Sequence, residues 1–437
     1  MTVALNDTHD QRRRSWVTSA NEATGDFPIQ NLPFGVFRHK EGEPQGGVAI
    51  GDQIFDLAAA LREGLFEGDA AIAAKAAAGR RLNPLMALEP KTVSALRWRL
   101  SDLLGAGGPD EARVRAMAER LLVPMADVAM QLPAAIGDYT DFSCSTHHMM
   151  RMGGGTVRPV FLHLPVGYHG RASSVRISGA EVVRPLGQVA GKDGQVLFGP
   201  EPQLDFELEF AAFVGAGNAL GRSIPIAQAE EHIFGYCLLN DWSARAIQFF
   251  EMALGPFLGK SFLTTVSPWV VTREAMAPFR TAAFARPEAD PPVPAYLQSE
   301  ADRREGGLEV QLEALLSTEA MRRRGDPPQR IVATNFRHIY WTLAQMLAHH
   351  ASGGCDMNPG DLFASGTVSG PEDEAKACLM EANERGTRAI SLPAGESRLW
   401  LEDGDEVLIR GRAVREGFVS IGFGPCDGRV VAAEARA

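Results

Sequence analysis

The spacing of apolar positions changes character once along the chain. Strand signals begin near Phe34, after a polar stretch that reads as an irregular arm. Val48-Ala-Ile50 and Ile54-Phe-Asp-Leu57 flank Gly51-Asp52 and predict two short strands around a tight turn. Residues 56–122 are rich in Ala, Leu and Arg and predict mostly helix, most clearly from Pro109 to Leu122 with Asp110 as N-cap. Pro133-Ala-Ala-Ile-Gly-Asp138 reads as a junction. Beyond it, short apolar runs are separated by Gly and Pro: Leu204 to Val214, Phe234 to Asn240, Trp269 to Val271, Glu406 to Arg410 and Phe418 to Phe423. Two helices interrupt them, one after Asp241 and one from about Asn335 to His350, stopped by Gly353-Gly354. Residues 278–328, rich in Pro, Ala and charge, read as a surface excursion. The pattern predicts a first domain over 1–133 and a β-rich second domain over 134–437, in keeping with a length of 437 residues.

Composition narrows the function classes. Hydrophobic residues make up 45% and charged residues 22%, as in a globular protein. The net charge of −11 argues against a nucleic-acid partner; a small acidic substrate would need a local cluster of positive charge. Cys144, Cys237, Cys355, Cys378 and Cys426 are odd in number and hold no CxxC pair, so inert thiols in a reducing compartment are expected. Arg12-Arg13-Arg14 lacks the apolar run of an export signal, and no stretch reaches the length of a membrane span, which gives a cytoplasmic reading with no membrane partner.

Two glycine-rich stretches carry no nucleotide signature. Gly255 to Ser261 has three residues between its glycines where a phosphate loop needs four, and the third glycine of Gly215 to Gly221 falls one place late for a dinucleotide loop. Neither HExxH nor GxSxG occurs.

Gln203 to Phe213 alternates apolar and acidic residues, so in a strand Asp205, Glu207 and Glu209 share one face. A wet acidic face is one reading. The continuation into Ala-Ala-Phe-Val argues instead for burial on both sides, where stacked carboxylates repel unless a hard cation such as Mg²⁺ or Ca²⁺ binds them. Asp241 ends an apolar run and reads as an N-cap or a ligand; Asp141 reads as a turn residue or a ligand. His148, flanked by His147 and two methionines, reads as a structural histidine or a candidate base. Lys260, in a glycine-rich apolar context, needs an anion to face. Arg245 and Gln248 lie one turn apart, which reads either as a solvated helix face or as a pair projecting to one side toward a site. His349-His350 reads as the polar end of a helix.

These residues resemble the fumarylacetoacetase family across nearly the whole chain. The match is densest in Asp138-Tyr-Thr-Asp-Phe142, Leu164 to Ser174, Leu204 to Glu209, Asn240 to Arg245, Leu254 to Ser261, Gly360 to Pro371 and Asp403 to Val407. The resemblance implies a mainly β, α+β fold: an N-terminal SH3-like barrel followed by a β-roll catalytic domain, assembled as a homodimer. It implies metal-dependent hydrolysis of a carbon–carbon bond in 4-fumarylacetoacetate, giving fumarate and acetoacetate in tyrosine and phenylalanine breakdown, with Mg²⁺ or Ca²⁺ as cofactor. The ligand set it implies is Asp141, Glu207, Glu209 and Asp241, with a second position involving Asp241, Lys260 and Thr264; Asp205 becomes a neighbour. His148 would be the base, oriented by Glu381, with Arg245, Gln248 and Lys260 stabilising negative charge. Ser143, Arg158, Tyr168, Gln248 and Thr367 fall at substrate-binding positions. Ser143 and Met252-Ala253 replace tyrosines of the family, and Arg151 competes with Arg158 for the substrate arginine. These departures keep a second substrate open, another acylpyruvate or diketo acid acted on by a related hydrolase or decarboxylase.

Overall fold

The computed structural model describes residues 4–191 and 194–434. Its N-terminal part is a five-stranded antiparallel sheet in the order Leu122–Pro124, Gln53–Asp56, Gln45–Ile50, Phe34–His39, Val128–Gln131. The Gln45–Ile50 and Gln53–Asp56 strands are the pair expected around Gly51, whose φ of 60° suits glycine. Helices pack beside this sheet, the longest being Pro90–Leu104, which buries Leu96, Leu100, Leu103 and Leu104 along one stripe.

The expected Pro109–Leu122 helix is instead two pieces, Glu111–Arg115 and Ala118–Leu121. Asp110 makes no side-chain cap, because its carboxylate accepts from the Arg99 guanidinium at 2.6 Å. The expected arm is anchored: buried Arg97 donates to the Gln30 and Asn31 carbonyls and to Thr8 Oγ1 in the Asp7–His9 turn, while Ser19 of the Thr18–Asn21 turn bonds to Asp52.

Two larger sheets dominate the rest, with four two-stranded pairs beside them. One runs Gly167–Gly170, Tyr139–Phe142, Leu362–Ala364, Leu208–Val214, Ile233–Asp241, Thr264–Val266, Val175–Ile177, with Val271–Thr272 pairing to Ile233–Asp241. The other runs Gln329–Asn335, Val310–Ser317, Glu406–Ala413, Cys426–Val431, Ala180–Val183, with Ile421–Gly422 at its side. The first sheet lies between two apolar cores. Leu208, Phe210, Ala212 and Val214 join Tyr236 and Leu238 in one core. Ala211 and Phe213 join Cys237, Leu239 and the N-terminal helices in the other. Period-two alternation therefore yields a strand buried on both faces.

Three further expectations need correction. The Leu204–Val214 strand is interrupted: Leu204–Asp205 pairs with Ser243–Ala244, whereas Leu208–Val214 joins the main sheet. The Asn335–His350 helix begins only at Leu343, because Thr342 and Gln345 close a capping box there and the preceding Phe336, Tyr340 and Trp341 are drawn into the core. Residues 278–328 are not only a surface excursion: Val310–Ser317 lies inside the second sheet, with Val310, Leu312, Ala314 and Leu316 buried at alternate positions.

Candidate active site

Tyr139, Ala211, Phe213, Cys237 and Leu239 face the N-terminal core, and further along the same strands the positions in phase with them are the acids Asp141, Glu209 and Asp241. Asp241 ends its strand opposite Thr264, and Glu209 pairs with Leu239 one strand away. Asp141 pairs with Ala364 on one side and Tyr168 on the other. Glu207 sits at the strand interruption, bridged to Cys378. Asp141, Glu207, Glu209 and Asp241 thus converge, one carboxylate oxygen of each lying within 4.8 Å of the others, and all four are buried. Both oxygens of Glu209 and Oδ1 of Asp141 have no hydrogen-bond partner. Burial, and then the neighbouring carboxylates, push Asp141 and Glu209 well above the usual carboxylate range. Buried acids with orphan oxygens are costly alone and suit a hard divalent cation, so this donor set fits one.

Positive groups border the cage. Lys260 Nζ donates to Glu207 Oε2 and Asp241 Oδ2, each at 2.6 Å. Burial works against its charge, but those carboxylates win and hold the ammonium above the ordinary lysine range. An ammonium has no lone pair to offer, so the Lys260 side chain contributes charge rather than ligation. Thr264 Oγ1 donates to Asp241 Oδ1 at 3.2 Å, and the Tyr168 hydroxyl to Asp241 Oδ2 at 2.8 Å. Arg245, almost fully buried, lies 2.8 Å from Glu207 Oε1 through its NH1 group, which also donates to Gln248 Oε1 at 3.2 Å.

A histidine–glutamate pair stands beside the cage. The Thr146–Met152 helix is capped by the Ser145 side chain, which accepts from the His148 backbone N–H. His148 Nδ1 is 2.6 Å from Glu381 Oε1. Ser369 Oγ donates to the same oxygen at 2.6 Å, and Arg151 donates to Oε2 at 2.9 Å. Burial alone would raise Glu381, but the imidazole, the hydroxyl and the guanidinium outweigh it and hold the carboxyl at about 2. The carboxylate fixes the proton on Nδ1 and leaves Nε2 free to accept one.

A cavity of about 490 Å³ opens onto these groups. Ser143, His148, Arg158, Tyr168, Arg245, Gln248, Lys260 and Thr367 line it, with Met149, Met152, Phe161, Phe249 and Met252 supplying apolar wall. Arg158 is exposed at its rim. The other candidate arginine, Arg151, spends its guanidinium on Glu381 and the Gly370 carbonyl. His350 lies elsewhere, against Thr140 and Cys355. Asp205 is outside the cage, paired with Arg245. Sequence reasoning missed the hold of Arg151 and Ser369 on Glu381 and the bond from Tyr168 to Asp241. Tyr168 and Ser369 were signalled only by their places inside conspicuous motifs, and Arg151 by none.

A strand-rich α+β fold that sets buried carboxylates beside an oriented imidazole is the arrangement of enzymes working next to a divalent cation. Residues 30–133 match the family described as Fumarylacetoacetase N-terminal, and residues 138–431 match Fumarylacetoacetate (FAA) hydrolase C-terminal. Fumarylacetoacetase of Oryza sativa subsp. japonica is 45% identical over 419 residues, spanning 93% of this chain and 95% of its own length. That of Bos taurus is 45% identical over 421 residues, spanning 93% and 97%. That of Homo sapiens is 44% identical over 422 residues, with the same coverage of 93% and 97%. The chain belongs to the fumarylacetoacetase family.

Proposed function

We propose that this protein hydrolyses a carbon–carbon bond of 4-fumarylacetoacetate to give fumarate and acetoacetate. The observation that supports this best is the convergence of four carboxylates beside the His148–Glu381 pair, with Asp141, Glu207 and His148 lining one cavity. Asp141, Glu207, Glu209 and Asp241 would hold Mg²⁺ or Ca²⁺, and such an ion supplies Lewis-acid polarisation of the substrate's oxygens. His148 Nε2 takes a proton from water as the water oxygen attacks the scissile carbonyl carbon. Glu381 orients the ring and stabilises the imidazolium that forms. The carbon–carbon electron pair then leaves with the acetoacetate half as an enolate, and the imidazolium returns its proton to that carbon. Lys260, Arg245 and Gln248 surround the charge that develops, where one donor is typically worth about 10²–10³ in rate. Arg158 at the rim binds a substrate carboxylate, with Ser143, Tyr168 and Thr367 as further contacts.

The test is direct. Purified protein should consume fumarylacetoacetate, stop on addition of EDTA, and recover with Mg²⁺ or Ca²⁺; inactivity with every divalent ion tried would defeat the assignment. Ser143 and Met252 leave the cavity without tyrosine at those two places, which favours a second reading in which another acylpyruvate is the preferred substrate. Comparing kcat/KM over a panel of diketo acids separates the two. We place it in the cytoplasm as a homodimer; among the described residues no helix is long and apolar enough to cross a membrane. A solution mass equal to one 47.1 kDa chain would remove the dimer.

A further inference from the structure

Asp205 is fully buried, touches neither the cavity nor the cage, and yet collects donors from three chain segments. Its Oδ1 accepts from the backbone N–H of Phe206 at 2.8 Å and of Leu379 at 2.7 Å. Its Oδ2 accepts from the backbone N–H of Met380 at 3.1 Å and from Arg245 Nε at 2.9 Å, with a second Arg245 nitrogen at 2.8 Å. Leu379 and Met380 open the short Leu379–Ala382 helix that presents Glu381 to His148. Arg245 reaches Glu207 and Gln248 with its other edge. Pairing of Leu204–Asp205 with Ser243–Ala244 brings the carboxylate to the start of the Arg245–Glu251 helix.

We propose that Asp205 is a positioning residue that locks the anion-stabilising Arg245 and the Glu381 turn into one rigid unit; this rests on the roles given above to Arg245, His148 and Glu381. All of Asp205's partners are donors. A carboxylate can satisfy them together, whereas an amide of the same shape would aim its NH₂ group either at Arg245 and the Met380 N–H or at the Phe206 and Leu379 N–H groups. Supports of this kind around a site act on rate because they hold reacting groups within a fraction of an ångström.

The experiment compares wild type, Asp205→Asn, Glu381→Gln, Arg245→Met and the two double variants carrying Asp205→Asn, with His148→Ala as the inactive reference. Steady-state hydrolysis of fumarylacetoacetate gives kcat and KM, and calorimetry gives Mg²⁺ affinity. Asp205→Asn should lower kcat by about 10–100-fold while KM and Mg²⁺ affinity stay within a few-fold. In each double variant its further cost should be smaller than in wild type, since the group it positions is already gone. An unchanged kcat, losses that simply multiply, or a loss carried by Mg²⁺ affinity would each overturn the proposal. If Asp205→Asn does not fold, the same ratios are read on Asp205→Glu, and failure of both to fold assigns Asp205 a purely structural role. Inactive wild type rejects the functional reading and this inference with it. Active wild type with inactive His148→Ala and an indifferent Asp205→Asn rejects the inference alone.

Discussion

Two acids two residues apart, Glu207 at the strand interruption and Glu209 within the strand, have opposite fates. Glu209 keeps both oxygens unpartnered, while Glu207 is engaged by Lys260 and Arg245, which hold it low against its burial. Glu207→Gln removes a ligand charge and leaves two buried cations short of a partner. Mg²⁺ affinity, read by calorimetry, should fall at least about tenfold, and equal affinity would count against its place in the cage. His148→Ala should cost about 10²–10⁴ in kcat, the usual worth of a general base. Glu381→Gln should cost less, about 10–100-fold, because the imidazole survives and only its orientation and charge balance suffer. Alternation in Gln203 to Phe213 made the acids legible as a set. It did not separate Asp205 from Glu207 and Glu209, since the separation depends on Arg245 and Leu379 arriving from distant segments.

Short elements do the positioning. The Leu258–Ser261 turn that bears Lys260 lies against the Arg245–Glu251 helix at Gly259, where an added Cβ would come within 2.7 Å of Gln248 Cβ and 2.8 Å of its backbone N. Gly259→Ala must push the two apart and carry Lys260 and Gln248 with them. We expect kcat/KM to fall about 10²-fold and stability by about 1–3 kcal/mol, measured by steady-state kinetics and by urea unfolding. That glycine could be read in the sequence only as loop chemistry. Short apolar runs were readable: Leu208–Val214, Ile233–Asp241 and Glu406–Ala413 stand where those runs put them. Val310–Ser317 has the same alternation, but the composition around it masked the signal. Helix starts were less legible, since Thr342 and not Asn335 supplies the side-chain acceptor that opens the helix.

The first sheet between its two cores is a rigid floor, and the acids at its end sit where the N-terminal core stops covering one face. This couples folding to metal and to pH. Asp141 and Glu209 are raised well above the ordinary carboxylate range in the folded chain. Their contribution to metal-free stability is therefore present below the unfolded values near about 4 and is lost as pH rises through the folded ones. A cation must displace those protons, so its affinity rises with pH. Saturating Mg²⁺ should raise the melting temperature more near about pH 8 than near about pH 5.5, in proportion to RT ln(1 + [Mg²⁺]/Kd). Scanning calorimetry at the two pH values checks this, and an equal or reversed gain would show that the carboxylates are not the binding group.

The amino-acid sequence by itself determined strands such as Leu208–Val214, because side chains two residues apart must share a face. It also determined which residue types could meet a hard cation and a general base, and its motif order tied them to one family. Tertiary structure alone decided which acids meet, which arginine is free to hold a substrate, and that Asp205 binds Arg245 and the Glu381 turn together. Those outcomes depend on contacts between segments that lie tens to hundreds of residues apart. No local pattern encodes such distances; only packing of the first sheet between its two cores fixes them.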